Sequence, residues 1–231
     1  MPRTTLANAD PHTSVLASSS PVLLLDVGGV IFRSAWELLA DYERWSGLPA
    51  GSLPWRGKFD PDHDDAWRDY LSGATTERVY WQRFSANCQM AGARLDSFTS
   101  VMAAIHMGGY TDIARPEVRS LISATQDQGR PYGIFTNDLV HLFGSDWPMS
   151  FPEIANAAWF IDATATGFLK PESGAYEAAI RLLDIPPQQI VFVDDDHLNI
   201  DAANKAGITG ILLDVTNPQS AVDQARRALG L

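Results

Sequence analysis

Five short, uninterrupted apolar runs constrain this chain more than any other feature: Val22–Leu25, Tyr132–Phe135, Ala158–Ile161, Ile190–Val193 and Gly210–Leu213. Runs of this length without polar alternation read as strands buried on both faces. Helical stripes stand between them. Val118, Leu121 and Ile122 follow Pro116, where a helix can start, and precede Gly129, where it should stop. Tyr176, Ala179, Ile180 and Leu183 repeat at i, i+3, i+4 and i+7, and Ile200–Ala206 and Ala221–Leu229 supply two more helices. Strand and helix in alternation predict an α/β fold: a doubly wound, Rossmann-like parallel sheet with helices on both faces.

One stretch, residues 33–112, breaks the rhythm. It has no strand-like run but several helical stripes, among them Phe98, Val101, Met102 and Ile105. It also carries Trp36, Trp45, Trp55, Trp67 and Trp81, five of the seven tryptophans, so it has the apolar mass to build its own core. The expected organisation is an α/β core from residues 21–32 and 113–231, with an all-helical cap of residues 33–112 inserted after the first strand. Residues 1–20, rich in Ser, Thr, Ala and Pro, read as a disordered tail without the apolar centre of a secretory signal.

Charge and cysteine content narrow the function. Twenty-eight acidic against 17 basic residues give a net charge of −11, which argues against binding nucleic acid or an anionic membrane. Cys88 is the single cysteine, so neither an intramolecular disulfide nor a cysteine-based zinc cluster can form. No apolar stretch approaches membrane-spanning length. A cytoplasmic protein acting on a small molecule is expected.

In open parallel sheets, ligands bind beyond the carboxyl ends of the strands, so the residues that follow each run are informative. The first run leads into Asp26-Val27-Gly28-Gly29, the second into Thr136-Asn137-Asp138, and the fourth into Asp194-Asp195-Asp196 with Asn199 beyond. Gly167-Phe168-Leu169-Lys170-Pro171 follows the third. Carboxylates, a hydroxyl, an amide and a lysine would thus meet at one edge. Such a set can hold a divalent metal through oxygens and a phosphate through Lys170, Thr136 and backbone N–H groups, with Asp26 available as a nucleophile.

These four segments, with Asp26, Thr136, Lys170 and Asp195 spaced by 110, 34 and 25 residues, resemble the motifs of the haloacid dehalogenase superfamily of hydrolases. The Arg115-Pro116-Glu117-Val118 re-entry and the Lys170-Pro171…Tyr176 block resemble its phosphatase-like branch with a helical cap. The resemblance implies that Asp26 attacks phosphorus and forms an aspartyl-phosphate, and that Lys170 pairs with Asp26 and the phosphate. It implies that Thr136, Asn137 and Gly29 bind the phosphoryl group. It also implies a magnesium ion held by Asp26, the Gly28 carbonyl, Asp195 and the adjacent Asp194, with Asn199 supporting that loop.

Three positions depart from the family pattern. Phosphatases of the family usually carry a second aspartate two residues after the nucleophile, as general acid and base; here that residue is Gly28. General acid–base help is typically worth about 10²–10⁴-fold, so its loss matters. Ala163 and Ala165 stand where related members often show Ser and an acidic residue, which leaves the support of the lysine loop to be found elsewhere. His197 is a local candidate to replace the acid. The run Asp60-Pro61-Asp62-His63-Asp64-Asp65 reads instead as a solvated loop. The expected activity is a magnesium-dependent phosphomonoesterase on a small organic phosphate. Metal-dependent diphosphate-ester chemistry of a terpene-cyclase-like kind, non-catalytic binding and 2-haloacid dehalogenation are the alternatives.

Overall fold

Each of the five apolar runs is a strand in the computed structural model, which describes residues 20–53, 57–92, 113–144 and 146–231. They are β1 (Val22–Leu25), β2 (Tyr132–Thr136), β3 (Trp159–Asp162), β4 (Ile190–Asp194) and β5 (Thr209–Leu212). All neighbours pair in parallel, in the order β3-β2-β1-β4-β5. Strands β1, β2 and β4 are buried along their whole length, as continuous apolar runs demand. The edge strand β5 differs from expectation, since Thr209 and Leu212 are exposed. With a neighbour on only one side, an edge strand is only partly covered.

The chain runs from β1 to β2 and β3 on one side, then crosses to β4 and β5 on the other, so the winding reverses at β1. Leu25 pairs with both Ile134 and Val193. One residue further, Asp26 therefore comes level with the ends of β2 and β4. Its backbone N–H still donates to the Val193 carbonyl at 3.0 Å, which fixes where the strand's exit points.

The chain divides into two compact units: one runs up to Arg33 and resumes from Ala114 to Leu231, and the other spans Ser34–Ile113. In the second unit lie α1 (Leu39–Ser46), α2 (Asp65–Leu71) and α3 (Glu77–Met90), with no strand among the described residues. Trp36, Trp67, Tyr80 and Trp81 pack ring against ring there, with centroids 4.9–6.0 Å apart. The expectation that these aromatics form the unit's own core therefore holds for Trp36, Trp67 and Trp81. Trp55, the stripe from Phe98 to Ile105 and residues 1–19 lie outside the described residues.

The acidic run before α2 needs a correction. Asp60, Asp62 and Asp65 are at least partly exposed, but Asp64 is buried. Its carboxylate caps α2 through the Trp67 N–H (3.0 Å) and also accepts from the Gly57 N–H (3.1 Å) and the Tyr80 hydroxyl (3.0 Å). A charge run seen in sequence does not reveal which member meets orphaned helix donors.

In the first unit the helices follow the stripes: α4 (Pro116–Asp127), α8 (Ser173–Leu183), α9 (His197–Lys205) and α10 (Pro218–Leu229). Between β2 and β3 the chain forms three short helices, α5 (Leu139–Phe143), α6 (Asp146–Met149) and α7 (Pro152–Ala155), which no apolar stripe announced. Phe135 of β2, Phe192 of β4 and Tyr176 of α8 meet in the core, with Phe135 5.4 Å from Phe192 and 5.5 Å from Tyr176 between ring centroids. Those rings form the floor under the candidate site.

Candidate active site

Lys170 organises the polar end of the sheet. Its side chain is 1% exposed and its ammonium has three acceptors: Asp194 Oδ2 at 2.7 Å, Asp26 Oδ1 at 3.0 Å and the Phe135 carbonyl at 3.0 Å. The same nitrogen lies 5.2 Å from the Phe135 ring centroid and 5.1 Å from that of Phe192. An ammonium has three N–H bonds, and all three are engaged here. Burial alone would pull its pKa down, but Asp194 and then Asp26 outweigh it and hold it above the ordinary lysine value. Lys170 stays charged.

Its backbone is held as firmly. The Asn137 side-chain amide brackets it, with Oδ1 accepting from the Lys170 N–H at 2.8 Å and Nδ2 donating to the Lys170 carbonyl at 3.1 Å. The Asn137 side chain thus fastens the β2 exit to the lysine loop, which is compatible with the phosphoryl contact that the resemblance implies for the backbone of this motif. Thr136, also expected in that role, is buried at the end of β2.

Asp162 at the end of β3, which sequence reasoning did not single out, ties that strand's exit to the start of α5. Its carboxylate accepts from the Val140 N–H (2.9 Å), the Thr164 N–H (3.1 Å) and the Thr164 hydroxyl. Burial raises its pKa, against the hydrogen bonds from Thr164 and Val140. The signal was a lone acid at the end of an apolar run followed by Thr164, a pattern too common to stand out.

On the other side of β1, Asp194 is fully buried. Oδ2 takes the Lys170 ammonium, Oδ1 takes the Asp196 N–H at 2.8 Å, and Asn199 Nδ2 lies 3.1 Å from both oxygens. Asn199 thus supports this loop, as the resemblance implies. Asp196 also caps α9 by accepting from the Leu198 N–H. Asp195 comes against Gly29, whose φ of +76° is left-handed; a Cβ there would overlap the Asp195 carboxylate. Glycine at 29 is therefore what lets this acid approach the loop after β1. The Gly29 carbonyl accepts from the buried Arg115 guanidinium at 3.1 Å, a tie that the sequence did not disclose.

Asp26, Asp194 and Asp195 each offer an oxygen, and these lie within 4.8 Å of one another. Burial, with Asp194 and Asp195 adding to it, raises the Asp26 pKa to about 7 against the pull of Lys170. Three carboxylates this close with one ammonium among them leave excess negative charge. An oxygen-donor set of this kind suits a hard divalent cation such as magnesium.

The family model for haloacid dehalogenase-like hydrolases matches residues 22–207. The chain belongs to this hydrolase family. Bacillus subtilis YfnB, described as a HAD-hydrolase bound to magnesium, has a similar fold, with a TM-score of 0.67 and 18% identity over 92% of this chain and 99% of that one. An L-2-haloacid dehalogenase from Xanthobacter autotrophicus also shares the fold, with a TM-score of 0.53 and 14% identity over 84% of this chain and 78% of that one. Among curated proteins, Acyl-CoA dehydrogenase family member 10 of Mus musculus is 21% identical over 90% of this chain. The match spans 19% of that longer relative. No helix among the described residues is long and apolar enough to cross a membrane.

Proposed function

We propose that this hydrolase is a magnesium-dependent phosphomonoesterase that takes a small organic phosphate through an aspartyl-phosphate at Asp26. The observation that carries the reading is the Lys170 ammonium held between Asp26 and Asp194, with Asp195 in the same cluster. Asp26 lies at the carboxyl end of β1, where the winding reverses and open sheets receive ligands. Lys170 fixes the orientation of its carboxylate and keeps it ionised more readily than burial alone would allow. Asp26, Asp195 and the Gly28 carbonyl, with Asp194 beside them, are the residues that would hold magnesium. Bound there, the metal would supply positive charge that lets a carboxylate approach an anionic phosphate. Thr136 and backbone N–H groups at the β2 exit would take the phosphoryl oxygens.

The test is phosphate release across a panel of sugar, acyl and aryl phosphates, with and without chelator, by wild type and Asp26→Asn. Release that chelator and Asp26→Asn both abolish is expected; metal-independent release, or turnover by Asp26→Asn, would overturn the reading. Gly28 favours one second reading. A halide leaves as an anion and needs no proton, so 2-haloacid hydrolysis suits a site without a general acid. Halide release from a 2-haloacid panel would establish it in place of the phosphatase.

A further inference from the structure

The two glycines after Val27 differ in what a side chain there would meet. At Gly29, the left-handed backbone and the Asp195 carboxylate both forbid a side chain. At Gly28 neither does. Its φ lies outside the left-handed region, and nothing stands within 4 Å of where a Cβ would be. The fold therefore accepts a side chain at 28, and its absence bears on the chemistry rather than on the backbone.

Several neighbouring groups of the same unit are already engaged. All three Lys170 N–H bonds have acceptors, and the Asp194 oxygens take Lys170, the Asp196 N–H and Asn199. The Tyr176 hydroxyl donates to the Asn199 carbonyl at 2.8 Å. His197 lies 3.7 Å from Asp196, with its ring half exposed. We propose that the leaving group departs from this site unprotonated, so that its substrates are phosphate esters of acidic leaving groups, such as acyl, aryl or anomeric phosphates, and that Gly28 sets this limit.

The inference rests on the phosphomonoesterase reading. In the first step, an Asp26 oxygen forms a bond to phosphorus as the bond from phosphorus to the leaving oxygen breaks. The leaving oxygen keeps the electron pair and departs as an anion. In the second, water adds to phosphorus, the bond to Asp26 breaks, and the carboxylate returns with dihydrogen phosphate as product. No proton reaches the leaving group from the protein.

The experiment measures kcat/KM in saturating magnesium for aryl phosphates of graded leaving-group acidity and one alkyl phosphate, with wild type and Gly28→Asp. Wild type should fall steeply along the series, and Gly28→Asp should flatten it, raising the rate on the alkyl ester relative to the most acidic aryl ester at least about tenfold, within the range a positioned general acid supplies. A flat wild-type series would overturn the inference, because a proton would then be arriving from another group such as His197. A folded Gly28→Asp that leaves the series unchanged would remove Gly28 as its cause and overturn it too. Should Gly28→Asp fail to fold, the wild-type series decides alone, together with its solvent isotope effect on the acidic esters: near unity supports unassisted departure, well above unity refutes it. Absence of any Asp26-dependent phosphate release would instead sink the phosphatase reading itself, and this inference with it.

Discussion

Replacing Lys170 with Met keeps most of the side-chain volume and removes the charge. Asp194 is fully buried and Asp26 nearly so, at 2.7 and 3.0 Å from the ammonium, so both lose their counter-ion where water cannot replace it. Breaking a buried ion pair by deleting one partner costs about 3–5 kcal/mol. For a chain of this size that is a fall in melting temperature of about 6–20 °C. The loss should depend on pH. Burial already raises the Asp26 pKa from 3.8 to about 7, so between those values the folded protein holds a proton that the unfolded chain lacks. A raised carboxyl pKa favours the fold at low pH, and that contribution fades as pH rises through the folded value. Without Lys170 the folded value moves higher still, so Lys170→Met should be least stable relative to wild type at about pH 8 and should recover toward about pH 5. Thermal melts followed by circular dichroism at both pH values, with Lys170→Met/Asp194→Asn alongside, measure this. The double variant should regain much of the loss, because it removes one stranded carboxylate. A single variant that melts within about 2 °C of wild type at about pH 8, or a double variant no better than the single, would refute the reasoning.

Two further outcomes are expected. Gly29→Ala should cost about 1–3 kcal/mol in backbone strain and, by displacing Asp195, weaken manganese binding read by electron paramagnetic resonance, whereas Gly28→Ala should do neither; equal behaviour of the two variants would contradict the contrast drawn between them. Asp162→Ala should lower stability by about 1–3 kcal/mol in urea unfolding, because it strips the Val140 and Thr164 N–H groups of their acceptor; a change below about 0.5 kcal/mol would mean that water takes its place.

Much of the candidate site was legible because its parts sit at the ends of strands, and the strands are written as local apolar runs. Asp26, Lys170, Asp194 and Asp195 could each be picked out by what precedes them, and the structure brings Asp26, Asp194 and Asp195 within one cluster around Lys170. What the sequence does not show shares one cause. The Asn137 amide clamps Lys170 across 33 residues of sequence, a tie that its motif does not reveal. Asp64 was taken for a solvated charge, yet it meets Tyr80, 16 residues away. The partners of Asp162 and Arg115 are likewise fixed only when separate loops meet. A residue type shows what bonds a side chain can make, not which partner reaches it.

By itself, then, the sequence determined the parallel α/β core, the interruption after β1 and the chemistry at each strand's exit, because hydrophobic period and turn residues act over a few neighbouring positions. Only the tertiary structure decided the strand order that reverses at β1, the three acceptors that saturate Lys170, and the difference between Gly28 and Gly29. Those depend on register between segments distant in the chain, where a carboxylate such as Asp195 closes the space beside one glycine and leaves it open beside the next.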